Sequence, residues 1–375
     1  MKIAAYQFAV TGNIRDNLSR IKTAVLQAAE AGARLLACPE CALTGYPPRV
    51  LPSSAAVDFA ALGEAHKALQ LLADRLQMYL IVGTMTKTER GVHNTARIIR
   101  PGKSALLYHK RALWGWDRDN FLPGNEPGIV EIDGLRIGVR ICFEVRFPEY
   151  FRELYRQKTD LNVILFYDVS DRDDTDRYGL IRGHIRTRAA ENACPILSVN
   201  AIHPYQTAPT MLTDASASVL SEAKRNRENL TVFDFVPTQP DFGERGRKEL
   251  SDWLLATIDN NNPDFWKALD ELVSKSEIVI DRPKGSAHPR FPDFIYRVDY
   301  GYLQDTASMD KDGIDVWVGS GEKTVDAVMC IVDLMKRDSE IKILIGCTEE
   351  EKQIVYETHN ESQYMKGIML RRPAG

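Results

Sequence analysis

The sequence predicts a mixed α/β fold in which helices cover sheets. Residues 2–7 alternate as a strand does, and the apolar run at residues 35–37 predicts a second strand. Gly32 ends the helix that is predicted between them. The apolar stripe of this amphipathic helix is formed by Ile14, Leu18, Ile21 and Val25. A strand, a helix and a strand in succession are typical of a sheet with helices packed on its faces.

The alternation continues along the next part of the chain. Asp58 is a good N-cap for a second helix that runs to Leu76. A continuous apolar strand follows at residues 79–83. Further elements are predicted as strands at residues 96–100, 104–109, 129–132, 136–141, 163–166 and 195–199, and as a helix at residues 178–191.

The chain, at 375 residues, is long enough for more than one domain. We predict a first domain at residues 1–236 and a separate small domain at residues 276–375. Residues 237–275 begin with a polar, turn-rich stretch and continue as a charged, partly helical connector, so they are predicted to be a linker or extension. The small domain has strand signals of its own, at residues 276–280, 316–319, 325–332 and 341–346.

Composition limits the classes of partner. The net charge of −4 is spread along the chain, so no basic patch indicates nucleic-acid binding. No apolar stretch is long enough for a membrane span, and the first residues lack the regions of a signal peptide. We therefore expect a cytoplasmic protein that binds neither nucleic acid nor membrane.

The six cysteines are too few for a disulfide framework in a chain of this length, so they are predicted to be thiols. Cys38 and Cys41 form a Cys-x-x-Cys pattern, which is compatible with redox chemistry or with half of a zinc site. No second Cys-x-x-Cys or histidine pair in the sequence completes such a site. The alternative is that both are small buried residues on either side of Glu40.

Three residues with complementary chemistry follow predicted strands, and they are Glu40, Lys110 and Cys142. A residue at the carboxyl end of a strand is held rigidly and yet exposed, which suits a nucleophile. A thiol needs a base and a cation for acyl chemistry; Glu40 and Lys110 supply them, and the backbone N–H of Phe143 is a natural second donor to an oxyanion. Taken singly, the three also fit a packed cysteine, a loop carboxylate and a solvated strand end.

The order and surroundings of these residues resemble the nitrilase, or carbon-nitrogen hydrolase, superfamily over roughly residues 1–250. The resemblance is carried by a succession of motifs: Lys2-Ile3-Ala4-Ala5-Tyr6-Gln7, Pro39-Glu40 with Leu43-Thr44-Gly45-Tyr46, Lys110-Arg111-Ala112-Leu113, Phe121-Leu122-Pro123-Gly124, Cys142 with Arg146-Phe147-Pro148-Glu149, and Arg188-Ala189-Ala190-Glu191-Asn192.

This resemblance implies a four-layer αββα sandwich. It also implies that Cys142 attacks an amide, carbamoyl or nitrile carbon of a small molecule, while Glu40 relays protons and Lys110 stabilises negative charge. A thioester intermediate is then hydrolysed. No cofactor is implied for this domain, and because members of the superfamily commonly pair, a homo-oligomer is expected.

Other residues near these motifs are candidates for the site. The superfamily often carries another glutamate four residues before the Phe of Phe-x-Pro-Gly; here that position is Asp117, with Asp119 as a competing candidate. Glu144 is predicted to orient substrate or to support the site from behind. Asp168 opens an acidic loop that favours a cationic substrate, or else is a solvated charge run. Trp116 walls the pocket or belongs to the core.

The second segment resembles the soluble inorganic pyrophosphatase family, which implies a small β-rich, OB-like barrel. Three carboxylates within six residues, Asp310, Asp312 and Asp315, suit a hard divalent cation such as magnesium. Lys284 and Tyr300 are the candidates for phosphate binding. The motifs are Ile280-Asp281-Arg282-Pro283, Val298-Asp299-Tyr300-Gly301-Tyr302 and Asp310-Lys311-Asp312-Gly313-Ile314-Asp315-Val316.

The sequence leaves two further function classes open. One is metal-dependent phosphoanhydride hydrolysis by the second domain, with the first domain as a binding or assembly module. The other is ligand binding by both domains without turnover. Ammonia release without metal and phosphate release with magnesium distinguish the two enzyme classes.

Overall fold

The computed structural model describes residues 1–237, 239–258, 262–308 and 313–372. The chain divides into two compact units, Met1–Asp252 and Trp253–Gly375. In the described residues, we find no helix that combines the length and the apolar character needed to cross a membrane.

The elements of the first unit alternate between strands and helices. In chain order they are β1 (Lys2–Gln7), α1 (Ile14–Glu30), β2 (Leu35–Ala37), a 3-10 turn (Ser54–Ala56), α2 (Phe59–Leu76), β3 (Tyr79–Lys87), β4 (Val92–Arg100), β5 (Lys103–His109), α3 (Trp116–Asn120), β6 (Ile129–Ile132), β7 (Leu135–Ile141), a 3-10 turn (Cys142–Arg146), α4 (Pro148–Arg156), β8 (Leu161–Phe166), β9 (Val169–Ser170), α5 (Thr175–Asn192), β10 (Ile196–Asn200), β11 (Tyr205–Gln206), β12 (Met211–Thr213), β13 (Val219–Glu222) and β14 (Asn229–Asp234), followed along the chain by α6 (Phe242–Ile258).

Local sequence signals explain where the first two helices begin. The side-chain oxygen of Asn13 accepts two N–H groups of the first turn of α1. Asp58 caps α2 as predicted, accepting the N–H groups of Ala60 and Ala61 at 3.0 Å each. A side-chain N-cap of this kind contributes about 1 kcal/mol to helix stability.

Two six-stranded sheets organise the first unit. The first has the order β14-β1-β2-β3-β4-β5 and the second the order β13-β12-β10-β8-β7-β6, with a separate ribbon of β9 and β11. Strands β1, β2 and β3 are parallel, as are β7, β8 and β10. Parallel neighbours have their carboxyl ends at one edge of the sheet, which is where side chains from several strands can meet.

Four layers follow from the alternation of side chains along the strands. Ile3 and Ala5 of β1 face Val139 of β7 in the core between the two sheets. Ala4, on the opposite face of β1, belongs to the cluster that contains the buried faces of α1 and α2. Ile185 of α5 packs with residues of α4 and of the second sheet. The order helix, sheet, sheet, helix is the αββα order that the resemblance implies.

Strand directions bring the predicted site residues to one edge. Because β4 is antiparallel to both β3 and β5, β5 runs in the same direction as β2 and β3. Glu40 and Lys110 therefore leave the first sheet at the same edge, shortly after β2 and β5. In the second sheet Cys142 directly follows β7. The N–H of Glu40 donates to the carbonyl of Phe166 at 3.2 Å, which joins the edges of the two sheets.

The second unit is built around one sheet. Residues 237–275, predicted as a linker or extension, contain α6 and α7 (Pro263–Ser274). The remaining elements are β15 (Ile278–Arg282), β16 (Ala287–His288), β17 (Phe291–Ile295), β18 (Asp299–Leu303), β19 (Ile314–Val318), β20 (Val325–Asp333), β21 (Asp338–Ile345), α8 (Glu349–Thr358) and β22 (Met365–Arg371).

This sheet has the order β15-β18-β19-β21-β20-β22 and is covered on both faces. Trp266 and Leu269 of α7 pack on one face, and Val355 of α8 packs on the other. A closed barrel requires its outer strands to pair, but β15 and β22 do not pair within the described part of the chain. The OB-like barrel predicted for this segment is therefore not found; an open sheet between helices is found instead.

Gly83 of β3 packs directly against the turn that contains Glu40. An added Cβ would lie 2.6 Å from the Cα of Glu40 and 2.5 Å from the N of Cys41, and backbone atoms cannot rotate away as side chains do. We predict that Gly83→Ala lowers the free energy of unfolding by about 1–3 kcal/mol through overpacking, as measured by urea denaturation.

Gly63→Ala in α2 is the matched control, because nothing lies within 4 Å of its added Cβ. We expect its free energy of unfolding to stay equal or to rise by up to about 1 kcal/mol. If Gly83→Ala and Gly63→Ala lost the same free energy of unfolding, the close packing at position 83 would be contradicted.

Candidate active site

Lys110 lies buried between two carboxylates. Its Nζ is 2.7 Å from Oε1 of Glu40 and 2.8 Å from Oδ2 of Asp117. All three side chains are almost inaccessible to solvent. Burial alone would lower the pKa of Lys110, but the two carboxylates outweigh it and raise that pKa well above its usual value. The two carboxylates thus favour the ammonium form of Lys110.

Glu40 is held by four groups from different elements. Besides the ammonium of Lys110, its Oε1 accepts the side-chain N–H of Asn94 at 2.7 Å, and its Oε2 accepts the backbone N–H of Tyr167 at 2.8 Å. Its own N–H donates to the carbonyl of Phe166. Burial raises the pKa of Glu40 above its usual value, although Lys110 opposes this shift.

Asp117, rather than Asp119, contacts the cluster. Asp117 is buried in α3, and its second oxygen accepts the hydroxyl of Tyr46 at 2.8 Å. Asp119 is exposed. Tyr46 in turn stacks on Tyr167 at 5.1 Å between ring centroids. Because Tyr167 also donates to Glu40, the contacts around Lys110 form a closed ring.

Cys142 stands where β7 turns into a 3-10 segment, and its backbone has φ of +47°. A left-handed conformation at a residue other than glycine costs about 1–3 kcal/mol and is typical of functional sites. The thiol is half-buried. Burial and the negative charge of Glu40 raise the pKa of Cys142 well above its usual value, while Lys110 lowers it. Cys142 therefore lies within electrostatic range of Glu40 and Lys110.

Glu144 supports the turn that carries Cys142. Both of its oxygens are buried: they accept the N–H of Ile141 at 2.7 Å, the N–H of Arg111 at 2.7 Å and the hydroxyl of Tyr108 at 2.9 Å. Of the two roles considered for Glu144, orienting substrate and supporting the site from behind, these contacts favour the second. Its carboxylate is committed to protein donors, and it joins the backbone next to Cys142 to the backbone next to Lys110.

Phe143 directly follows Cys142 and is half-buried, whereas Trp116 directly precedes Asp117 and is exposed. The N–H of Phe143 belongs to the first turn of the 3-10 segment, where N–H groups have no carbonyl partner within the turn. Trp116 is 47% exposed, so it is not a core residue. The guanidinium of Arg49 lies 5.1 Å from the centroid of the Trp116 ring.

Arginines neutralise the acidic loop after β8. Asp168 forms a bidentate pair with Arg177, at 2.9 and 3.0 Å, and also accepts the hydroxyl of Thr207. Two further pairs in the loop are Arg49 with Asp171, at 2.7 Å, and Arg225 with Asp173, at 2.6 Å. The expectation of a cationic substrate rested on unpaired negative charge, and these pairs remove most of it.

Cys38 and Cys41 are buried free thiols on either side of Glu40. Burial raises the pKa of both thiols, which opposes redox and metal-binding chemistry. Within the described ranges, no group of three His, Cys, Asp or Glu residues is arranged to hold a metal ion. The interpretation of Cys38 and Cys41 as small packing residues agrees with their burial.

In the second unit, Asp315 is neutralised by a lysine. The ammonium of Lys342 contacts Asp315, lies 2.8 Å from Oε1 of Glu340 and donates to the hydroxyl of Tyr300 at 3.0 Å. Tyr300 is buried, whereas the side chain of Lys284 is exposed. Asp310 and Asp312, the other predicted magnesium ligands, lie outside the described residues.

Sequence reasoning missed Asn94 and gave no role to Tyr46. Asn94 is a fully buried polar residue in β4, followed by the equally buried Thr95. β4 also contains His93, Arg97 and Arg100, so Asn94 and Thr95 do not stand out in its sequence. Their burial in the structure marks them, since a buried amide requires a partner. Tyr46 belonged to a motif used for the resemblance, but its contact with Asp117 spans 71 residues.

The chain is similar to known amidases. Omega-amidase NIT2 of Xenopus tropicalis is 27% identical over 168 residues, which cover 42% of this chain and 59% of that protein, less than two thirds of its length. Deaminated glutathione amidase of Synechocystis sp. (strain PCC 6803 / GT-S) is 28% identical over 214 residues, covering 52% of this chain and 75% of that protein.

The fold has a counterpart among solved structures. The NitN amidase from Nesterenkonia sp. AN1 matches with a TM-score of 0.57 and 24% identity, over 68% of this chain and 99% of that chain. A family model described as Carbon-nitrogen hydrolase matches residues 2–237. Since this match spans more than half of the 375 residues, the chain belongs to the carbon-nitrogen hydrolase family.

Proposed function

We propose that the first unit hydrolyses a non-peptide carbon-nitrogen bond of a small molecule, an amide, carbamoyl group or nitrile, with Cys142 as the nucleophile. The observation that carries this proposal is the buried ammonium of Lys110, held between Glu40 and Asp117 in electrostatic range of the Cys142 thiol. A nucleophile, a base and a fixed cation are the groups that acyl transfer requires.

For an amide substrate, the first step forms a bond from the sulfur of Cys142 to the carbonyl carbon. Glu40 accepts the thiol proton, and the carbonyl oxygen becomes an oxyanion. Lys110 and the N–H of Phe143 donate to that oxyanion, and donors fixed in a dry site stabilise it more than water does. Glu40 then transfers the proton to the departing nitrogen, so the C–N bond breaks and ammonia or an amine leaves.

The second half of the reaction hydrolyses the thioester. A water molecule gives its proton to Glu40 and attacks the acyl carbon, and Lys110 again stabilises the oxyanion. The carbon-sulfur bond breaks, the proton returns to the sulfur of Cys142, and the acid is released. All protons move between these residues, water and substrate, so this cycle is complete without a cofactor.

The perturbed pKa values suit this division of roles. The raised pKa of Cys142 keeps the resting residue a neutral thiol, which needs a base at the moment of attack. The raised pKa of Glu40 makes it a stronger base than an ordinary carboxylate. A general base is more effective when its pKa lies nearer the working pH than that of an ordinary carboxyl group.

The similar proteins support the same chemistry. The curated relatives are an omega-amidase and a deaminated glutathione amidase by name. Solved structures of the Nesterenkonia amidase include a mutant with covalent addition of the acetamide moiety of fluoroacetamide at the active-site cysteine, and a cysteine mutant in complex with butyramide. These names support a small amide as the substrate class for this chain.

We predict that Cys142→Ala lowers turnover of primary amides by at least about a thousandfold, because no other group supplies the nucleophile. The measurement is ammonia release from an amide panel, with the melting temperature recorded to show that the fold persists. Cys330→Ala removes a thiol that is also half-buried, in the second unit, and is the control that keeps wild-type rates. Full activity of Cys142→Ala would refute the assignment.

The pH dependence of kcat/KM tests the role of Glu40. A base acts when it is deprotonated, so activity falls as pH falls through the pKa of Glu40, which lies above the usual carboxyl value of 4.5. The charge of Asp117 contributes to this raised pKa. Asp117→Asn therefore moves the acid limb to lower pH, by about 1 unit for a charge interaction near 1.4 kcal/mol. An acid limb at the wild-type pH in this variant would contradict the coupling.

For the second unit we infer that Lys342 supplies the positive charge that magnesium would supply between Asp315 and Glu340. Its ammonium is buried and lies within ion-pair distance of both carboxylates. The carboxylate of Asp315 is not suited to bind a metal ion while the ammonium of Lys342 contacts it. Phosphoanhydride hydrolysis at this site consequently gains no support from the described residues.

Removing the lysine tests this inference. Lys342→Met leaves two partly buried carboxylates without their cation, so the free energy of unfolding of the second unit falls by about 3–5 kcal/mol. Lys323→Met, at an exposed position, is the control. We also expect millimolar magnesium to leave the wild-type thermal unfolding curve unchanged. The inference would be wrong if magnesium stabilised the wild-type chain and Lys342→Met left the free energy of unfolding unchanged.

A further inference from the structure

A groove of about 520 Å³ opens beside the candidate active site. Its wall residues come from two segments, 111–118 and 143–150, and we call it the aromatic groove. The residues that matter for its chemistry are Arg111, Trp114, Arg118, Phe143, Phe147 and Glu149. The catalytic steps above give these side chains no role.

Both walls are direct continuations of the active-site strands. Segment 111–118 begins one residue after Lys110 and contains Asp117, and segment 143–150 begins one residue after Cys142. Consecutive Cα atoms are about 3.8 Å apart. Glu144 fixes the two walls to each other, because it accepts N–H groups from Ile141 and Arg111. The groove residues Arg111 and Phe143 are therefore the chain neighbours of Lys110 and Cys142, which makes the groove a candidate site for the part of a substrate remote from Cys142.

Aromatic rings in the groove are left uncovered. Trp114 is 64% exposed and Phe147 is 38% exposed. Phe147 meets the ring of Phe143 edge-on, with centroids 5.2 Å apart. Exposed rings that face a common groove bury their surface against a planar partner, and such aromatic pairs are favourable beyond the area they bury.

The groove also carries positive charge. The guanidinium carbon of Arg118 lies 4.8 Å from the centroid of Trp114, and its Nε donates to the carbonyl of Leu113, which is a neutral acceptor. Arg111 is paired with Glu153 at 2.6 Å. Glu149 is the acidic side chain among the groove residues. Because Arg111 is neutralised by Glu153, Arg118 is the guanidinium of the groove that has only a neutral acceptor among the described residues. Arg118 over Trp114 forms a platform on which a ring and an anion can bind together.

We propose that the aromatic groove binds the part of the substrate remote from the scissile bond and selects a planar aromatic group that carries a carboxylate or a similar anion. This proposal rests on the proposed amide hydrolysis and names its substrate class. It reverses the charge preference expected from the acidic loop, whose carboxylates Asp168, Asp171 and Asp173 are paired with arginines.

The test compares three amides of one shape: 3-phenylpropanamide and its derivatives with a para-carboxylate or a para-aminomethyl group. With the full chain, kcat/KM is highest for the carboxylate and lowest for the aminomethyl compound. We expect a ratio of about tenfold between these two, as a partly exposed charge pair allows. Turnover of propanamide, which does not reach the groove, tests the proposed hydrolysis separately.

Variants of the groove identify the source of the preference. Arg118→Met brings the carboxylate-to-aminomethyl ratio close to one, and Trp114→Ala lowers kcat/KM for the three aryl amides relative to propanamide. Arg152→Met, on α4 and outside the groove, is the matched control that keeps the wild-type ratio. An unchanged ratio in Arg118→Met would overturn the proposal.

A binding measurement keeps the proposal testable if none of the amides is turned over. Calorimetric titration with 3-(4-carboxyphenyl)propanoate, the product of the carboxylate substrate, is expected to show binding that weakens about fivefold or more in Arg118→Met. Equal affinity for wild type and variant would overturn the proposal. So would sedimentation data in which Trp114→Ala dissociates an oligomer while the substrate ratios stay the same, because the groove would then be an interface between copies of the chain.

Discussion

The buried ammonium of Lys110 is the constraint on which the first unit depends. An unpaired charge in a protein interior is very costly, so Lys110 is stable there only because Glu40 and Asp117 lie within 2.8 Å of it. The fold meets this requirement by strand direction: β2 and β5 end at one edge of the same sheet. Tyr46, Asn94 and the N–H of Tyr167 then hold the two carboxylates in place.

The same constraint links stability to function. The carboxylates around Lys110 also raise its pKa well above its usual value, so a fixed cation stands where the proposed mechanism places the oxyanion. Cys142, which follows the second sheet, has a left-handed backbone conformation. Glu144 accepts an N–H group from the residue before Cys142 and one from the residue after Lys110, and so connects the two segments. The strained turn and the charged cluster are thus coupled through one buried carboxylate.

Residues that act through local spacing were predictable, and residues that act through long-range contacts were not. The strand-end position of Glu40, Lys110 and Cys142, and the N-cap at Asp58, follow from neighbouring residues. The sequence did not decide between Asp117 and Asp119 as the second carboxylate, because the decision depends on which of the two is buried in α3. In the same way, α7 was predicted only as part of a partly helical connector, because its apolar stripe gains stability by packing on the sheet of the second unit. The role of the acidic loop stayed open between a contact to a cationic substrate and a solvated charge run, because two of its arginine partners, Arg49 and Arg225, are distant in sequence.

Trapping the intermediate tests the central claim most directly. The full chain is mixed with a primary amide, quenched in acid within milliseconds to seconds, digested and analysed by mass spectrometry. A thioester mechanism predicts that the peptide containing Cys142 gains the mass of the acyl group, and that hydroxylamine removes it. Turnover with an unmodified Cys142 peptide at every time, or acylation of a different cysteine, would contradict Cys142 as the nucleophile beside the Lys110 cluster.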